Sequence, residues 1–104
     1  MDIEIETAEG VERTDALDAH IHDRLTKTGR RFDERIPWVR VFVKDVNAGK
    51  GGVDKHCTME ARPERGKPVV VDAQNQTIER AVRDAAGKLE KAVEHRFARN
   101  DPPR

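Results

Sequence analysis

Apolar residues occupy only one side of each predicted helix and strand, and this one-sidedness limits the chain to a fold of two layers. The clearest case is the segment 38–44, in which Val39, Val41 and Val43 alternate with polar and aromatic residues. An alternation with a period of two predicts a strand with one buried face. Since only 36% of the 104 residues are hydrophobic and 38% are charged, the apolar side chains suffice for one small core.

Three further strands are predicted from shorter patterns. Ile3 and Ile5 alternate with acidic residues near the start of the sequence. The segment 68–72 contains three consecutive valines and begins with a proline, which is tolerated at the first position of a strand. The remaining strand, over residues 56–62, has apolar and polar residues on opposite faces. Its apolar residues are Cys57, Met59 and Ala61.

Two amphipathic helices are predicted. The first covers about 15–28, with Thr14 as the N-cap and Gly29 at the C-terminal end. The second begins near Asn75 or Thr77 and continues almost to the end of the sequence. Its apolar stripe consists of Ile78, Val82, Ala85, Ala86, Leu89, Ala92 and Val93. A helix with one apolar stripe packs one side against a sheet and leaves the other side in water.

The predicted order of elements is β-α-β-β-β-α. The first two strands should be parallel, because a helix connects them through a right-handed crossover. The last three should form an antiparallel meander, with the glycine-rich segment 47–52 as a hairpin loop. We therefore predict an α+β fold of two layers, with both helices on one face of a four-stranded mixed sheet. Residues 1–99 should form a single domain and 100–104 a short tail.

Charge and composition exclude several classes of function. The formal net charge is zero, so the chain is not a globally basic nucleic-acid binder, although a local basic patch remains open. No apolar run approaches the roughly 18 residues that a membrane span requires, and the acidic first residues do not resemble a signal peptide. The single cysteine, Cys57, fits a reducing cytoplasm. No arrangement of histidine, cysteine or carboxylate predicts a metal site, a cofactor, a small-molecule substrate or an enzyme.

Two surfaces are candidates for binding. One side of the last helix carries Arg80, Arg83, Lys88, Lys91 and His95, with Asp84 and Glu94 among them. This side is either a surface for phosphate contacts or an ordinary solvated helix face. The other candidate is the uncovered face of the sheet. Its aromatic and cationic residues are Trp38, Arg40, Phe42, Lys44, His56 and Arg62. Such a face stacks bases or binds a partner, or else Trp38 and Phe42 only cover the sheet locally.

The chain resembles the short ribosome hibernation-promoting factor / ribosome-associated inhibitor family, also known as sigma-54 modulation proteins. The resemblance extends over residues 1–99 and depends on motifs at the expected positions of the predicted fold. These motifs are residues 14–17 (TDAL), 31–36 (RFDERI), 39–43 (VRVFV) and 88–91 (KLEK). The resemblance implies a fold like the double-stranded-RNA-binding domain with an extra first strand.

The resemblance also implies a function and a set of RNA-binding residues. Family members bind rRNA in the mRNA and tRNA channel of the small ribosomal subunit, block translation and protect idle ribosomes under stress. The matching positions are Arg24, Lys27, Lys88 and Lys91. Helix geometry adds Arg80, Arg83, Arg96 and Arg99, and the exposed sheet face adds Arg40 and Lys44, with Trp38 and Phe42 as candidates for base stacking or partner contact.

A second hypothesis is a protein-binding stress adaptor with the same fold, which uses the exposed sheet face. The zero net charge and the absence of tyrosine favour this alternative. Under either hypothesis the chain is expected to be a cytoplasmic monomer. We also expect it to lack the C-terminal dimerisation domain of the longer family members.

Overall fold

The alternating valines of segment 38–44 form the second strand of the structure, as predicted. The structure is a computed structural model, which describes residues 1–8, 10–29, 35–46 and 54–100 and, within them, all side chains except those of residues 29, 99 and 100. The elements are β1 (Asp2–Thr7), α1 (Asp15–Gly29), β2 (Trp38–Asp45), β3 (Lys55–Arg62), β4 (Val69–Asn75) and α2 (Ile78–Asn100). This confirms the predicted β-α-β-β-β-α order. The predicted hairpin loop 47–52 and the tail residues 101–104 lie outside the described residues.

The four strands form one sheet in the order β1-β2-β3-β4. β1 is parallel to β2, with Ile5 opposite Val41, whereas β2–β3 and β3–β4 are antiparallel. This is the topology that the sequence predicts. The alternation in each strand then places the polar residues of all four strands on one face of the sheet, opposite the helices.

The core lies between the sheet and the two helices. Val39, Val41 and Val43 of β2 are almost fully buried, and Met59 of β3 is inaccessible to solvent. From the helix side the largest buried residues are Ile21, Leu25, Leu89, Val82 and Val93. Burying a side chain of this size stabilises a fold by about 1.5–3 kcal/mol. This single core also fixes the direction in which the polar side of each helix faces.

Hydroxyl side chains begin both helices. The Leu17 amide donates to Thr14 Oγ1 over 3.1 Å, which confirms Thr14 as the N-cap of α1. The Arg80 amide makes the same contact with Thr77 Oγ1, also 3.1 Å long, so α2 begins after Thr77 and not at Asn75. The polar positions of α2 are fixed by this start and by the apolar stripe.

β4 differs from its predicted bounds. The sequence predicts 68–72, whereas the strand runs from Val69 to Asn75. The run of three valines hides the alternation, because Val69 is buried, Val70 is 59% exposed, and burial resumes at Ala73. Pairing with β3 extends the strand, since Ala73 lies opposite Cys57 and Asn75 opposite Lys55.

Cationic side chains cover backbone carbonyls on both edge strands. On β1, Arg13 Nη1 donates to the Ile5 carbonyl over 2.9 Å, while Asp18 holds the same guanidinium. On β4, Lys88 Nζ donates to the Asp72 carbonyl over 2.8 Å. Exposed edges offer unpaired backbone groups to other strands, and charged residues at an edge disfavour such pairing. One carbonyl on each edge strand is therefore occupied by a cationic side chain, which disfavours pairing with another strand at that position.

Candidate nucleic-acid interface

The outer side of α2 presents a row of basic residues to solvent. The helical period places Arg80, Arg83, Lys88 and Lys91 on the side opposite the apolar stripe, and all four residues are exposed. Gly87 lies within this row, and no atom lies within 4 Å of the position that a Cβ would occupy there. A side chain at position 87 would therefore meet no neighbouring atom.

The four cations differ in their ion-pair and hydrogen-bond partners. The Arg83 guanidinium lies 3.2 Å from Asp84 Oδ1, and Lys88 donates to the Asp72 carbonyl, a neutral group. Arg80 and Lys91 form no ion pair within the described part of the chain. Only one of the four positive charges is thus balanced by a neighbouring carboxylate, so the row keeps a positive potential.

An amide–carboxylate contact fixes the N-terminal part of α2 against the end of β4. Asn75 Nδ2 donates to Asp84 Oδ2 over 2.8 Å. This hydrogen bond, with help from Arg83, lowers the pKa of Asp84 below its usual value, because the bonds favour the charged carboxylate. The contact positions the start of the basic row relative to the sheet.

The C-terminal half of α1 adds two cations. Lys27 pairs with Asp23 over 3.2 Å, one turn earlier, and both side chains are largely exposed. Pairs of this kind on a helix surface contribute only about 0.3–0.5 kcal/mol, so a phosphate can replace the carboxylate. Arg24 is half-buried, and its Nε is buried without a hydrogen-bond partner. Because this Nε is itself buried, it is not accessible to a binding partner.

Further basic residues, which the sequence argument missed, lie at one end of the molecule. The segment before β2, the turn between β3 and β4 and the C-terminal half of α2 meet there. Contacts between them include Arg35 over the Phe97 ring at 4.8 Å and the Arg96 bond to the Lys67 carbonyl at 2.6 Å. The exposed cations there, here called the basic end, include Arg35, Arg65 and Lys67.

The helical period explains how the basic row of α2 ends. Glu94 and His95 follow Lys91 by three and four residues on the same side, so a carboxylate and an imidazole occupy the turn in which the row would continue. Arg96 falls on the side of the apolar stripe, which explains why its guanidinium turns towards the Lys67 carbonyl. The Arg99 side chain lies outside the described residues. Among the described side chains, Arg35 and the cations of the turn between β3 and β4 supply exposed charge at this end.

The exposed sheet face holds the remaining predicted residues. Arg40 donates to Glu6 Oε1 over 2.7 Å and lies 3.9 Å from Glu4, and the bond to Glu6 raises the pKa of the guanidinium. Trp38 stacks against Arg62, whose guanidinium carbon is 4.9 Å from the ring centre. Lys44 and Phe42 are half-buried on the same face. Arg40 and Lys44 therefore lie on the side of the sheet that faces away from α2.

The described residues offer little for catalysis. They contain no group of three or more histidine, cysteine or carboxylate side chains that could hold a metal ion. Cys57 is inaccessible, and burial raises the pKa of its thiol to about 12, which keeps it protonated and unreactive. In the same part of the chain, no helix is long and apolar enough to cross a membrane.

An open groove of about 290 Å³ lies between the N-terminal ends of the two helices. His20 Nε2 bridges them with a hydrogen bond of 3.1 Å to the Glu79 carbonyl, which requires the proton to be on that nitrogen. Glu12 and Glu79 give the groove a negative charge at neutral pH. The basic row and this groove are therefore separate features, and only the basic row suits a polyanion.

Comparisons with known proteins identify the family. The profile of the family described as Sigma 54 modulation protein / S30EA ribosomal protein matches residues 4–100. The chain belongs to this family. Sigma 54 modulation / S30EA proteins are non-enzymatic, ribosome-associated hibernation and interface factors, which confirms the resemblance predicted from the sequence motifs. Among curated proteins, no sequence matches the chain significantly.

Two solved structures share the fold of this chain. The N-terminal domain of Protein Y from Thermus thermophilus is 24% identical to this chain, with a TM-score of 0.74 and coverage of 93% of this chain and 99% of that domain. A ribosomal subunit interface protein from Coxiella burnetii is 19% identical, with the same TM-score and the same coverage. At these identities, the two structures support the fold of this Sigma 54 modulation / S30EA protein.

Proposed function

We propose that this protein binds the small ribosomal subunit through its helix layer and thereby blocks translation in idle ribosomes. The observation that carries the proposal is the exposed basic row on α2, joined by the cations at the end of α1. Membership of the Sigma 54 modulation / S30EA family supports a ribosomal partner. Under this proposal the protein acts as a monomer in the cytoplasm, and its rRNA contacts need no chemistry beyond charge and shape.

The segregation of charge reconciles a neutral chain with a polyanionic partner. Over residues 78–100, the sequence of α2 carries six cations against four carboxylates. The exposed sheet face carries the opposite excess, with five carboxylates and three cations. Phosphate contacts require only local cations, because each contact releases a condensed counterion. Because α1 (15–29) carries two cations against three carboxylates, the attraction of a polyanion comes from the basic row of α2 and the cations at the end of α1, while the sheet side repels it.

The proposed contact residues form one surface, here called the helix interface. It consists of Arg24, Lys27, Arg80, Arg83, Lys88 and Lys91. We add the exposed Arg65 and Lys67 as neighbours at the basic end. We leave out Arg40 and Lys44, because the sheet places them on the opposite face and Glu6 already holds Arg40. Arg96 and Arg99 stay as predictions from the sequence, the first turned towards Lys67.

Sedimentation with separated ribosomal subunits tests the proposal. The protein should pellet with small subunits and not with large ones, and prior binding of mRNA and tRNA should reduce the pelleted fraction. Lys88→Glu together with Lys91→Glu should abolish pelleting and relieve inhibition in a cell-free translation assay. Equal pelleting of this variant and the wild type would remove α2 from the interface. Unchanged binding to mRNA-loaded subunits would contradict binding in the channel.

A further inference from the structure

The exposed sheet face has a charge pattern that the proposed rRNA contacts do not use. The alternation of the strands places five carboxylates on this face, against the cations Arg40, Lys44 and Arg62. The carboxylates belong to Asp2, Glu4, Glu6, Glu60 and Asp72. With His56 neutral, the face has a net charge of −2 from these groups, although the whole chain is neutral. A phosphate backbone is therefore not its partner.

The excess negative charge is centred around Arg40, towards the edge strand β1. Arg40 lies between Glu4 and Glu6 on β1 and Glu60 on β3, its direct partner across the β2–β3 ladder. The guanidinium lies 2.7 Å from Glu6 and 3.9 Å from Glu4, and Arg62 approaches Glu60 only to 3.6 Å. Two guanidinium groups thus share three carboxylates, and only the Arg40–Glu6 pair is within hydrogen-bond distance, which leaves acceptor oxygens for a further cation.

Apolar surface flanks this centre on both sides along β2. Trp38 and Phe42 precede and follow Arg40 on the same face, because residues two apart in a strand point the same way. Trp38 already binds the guanidinium of Arg62 at 4.9 Å from its ring centre. At the edge of the face, Val70 is 59% exposed. Aromatic rings between carboxylates provide contacts for the aliphatic stems and the charged heads of arginine and lysine.

We propose that this sheet face docks an extended cationic segment, rich in arginine or lysine, of a partner protein. Charge complementarity selects the occupant, since the face combines excess carboxylates with rings that stack on cations. The inference goes beyond ribosome binding by the helix interface, because it concerns the opposite side of the molecule. The two surfaces can then be occupied at once, with a polyanion on the helices and a polycation on the sheet.

A synthetic peptide of alternating arginine and serine is the probe, and the same peptide with citrulline for arginine is its neutral control. Trp38 is the only tryptophan, so its fluorescence reports on binding to this face directly. The arginine peptide should change the Trp38 emission and bind more weakly as salt is added. The citrulline peptide should not bind.

Matched variants locate the binding site. Glu4→Gln with Glu6→Gln removes two charges from the face and should weaken binding of the arginine peptide by about tenfold. Glu12→Gln with Glu79→Gln removes the same charge from the groove between the helices and should leave the affinity within about twofold, because charges that far away are screened. Glu60→Gln is a second face variant. Because Glu60 lies on β3, this variant can be used if the double variant on β1 fails to fold.

Each outcome decides the proposal. Weaker binding in the face variants alone supports docking on the sheet. The proposal would be overturned if the groove variant bound the arginine peptide as weakly as the face variants, if the citrulline peptide bound as tightly as the arginine peptide, or if the arginine peptide did not bind at all. Small-subunit sedimentation of the same face variants separates this proposal from the previous one, since the helix interface is intact in them. Binding of an RNA oligonucleotide that requires Glu4 and Glu6 would also contradict the assignment of a cationic occupant.

Discussion

Removing two unpaired cations from α2 should reduce the salt dependence of small-subunit binding by a calculable amount. Arg80 and Lys91 are the test residues, because neither forms an ion pair within the described residues. The change Arg80→Gln with Lys91→Gln therefore exposes no orphaned carboxylate there. Any effect on binding then comes from contacts with the partner.

The size of the effect follows from counterion release. With the slope of duplex DNA, binding weakens with salt with a log–log slope of about −0.9 for each phosphate contact, so the six cations of the helix interface predict about −5.4. Losing two contacts should change the slope to about −3.6 and, at about 0.1 M salt, weaken binding by about 60-fold, or about 2.4 kcal/mol. The assay is sedimentation or filter binding over a series of salt concentrations.

A variant on the opposite face is the matched control. Lys44→Gln with Arg62→Gln also removes one lysine and one arginine, but from the sheet. Its slope should equal that of the wild type. The reasoning is refuted if the helix variant keeps the wild-type slope, or if both variants lose the same amount. Loss of binding in the sheet variant alone would move the interface to the sheet and would restore Lys44 as a contact residue.

Three predictions concern stability. Thr14→Ala should destabilise the protein by about 1 kcal/mol in thermal unfolding, because the Leu17 amide loses its cap, whereas Thr14→Ser should retain most of it. Gly87→Ala should raise the free energy of unfolding by up to about 1 kcal/mol, since alanine favours the helix and its site is open. Gly66→Ala should lower the free energy of unfolding by about 1–2 kcal/mol, because φ is +100° there. A denaturant titration in which the two variants are equally stable would contradict this. The pKa of the Cys57 thiol rises from 9.0 to about 12 on folding, so the thiol of the unfolded chain loses its proton first, and the free energy of unfolding should fall as pH rises above 9. A Cys57→Ala variant should lack this part of the pH dependence. Identical pH dependence of the wild type and the variant would refute the prediction.

The sequence predicted the fold well because its signals were local and consistent. Thr14 and Gly29 bound the first helix, and the alternating valines of β2 specify which face is buried. The end of β4 was missed for a physical reason. Pairing with β3, and not the local pattern, continues the strand to Asn75, and three adjacent valines conceal which of them faces the core.

The predicted site residues depended on three-dimensional neighbours that a sequence pattern does not specify. The alternation of β2 predicts that Arg40 is an exposed cation, but the parallel register of β1 and β2 places Glu4 and Glu6 beside it. The turn residues Arg65 and Lys67 have no periodic signal, and only the topology brings them to the end of α2. Helix geometry, in contrast, correctly predicted the exposure of Arg80 and Lys91, because the period and the apolar stripe are sufficient for that.

Site-specific crosslinking from the helix interface tests the central claim most directly. A photoreactive p-benzoylphenylalanine at position 87 would lie among the basic residues of α2, where the space for a side chain is open. The same group at position 70 would lie on the exposed sheet face. We expect position 87 to crosslink to small-subunit rRNA and position 70 not to. Crosslinks to rRNA from position 70 alone would contradict binding through the helix layer.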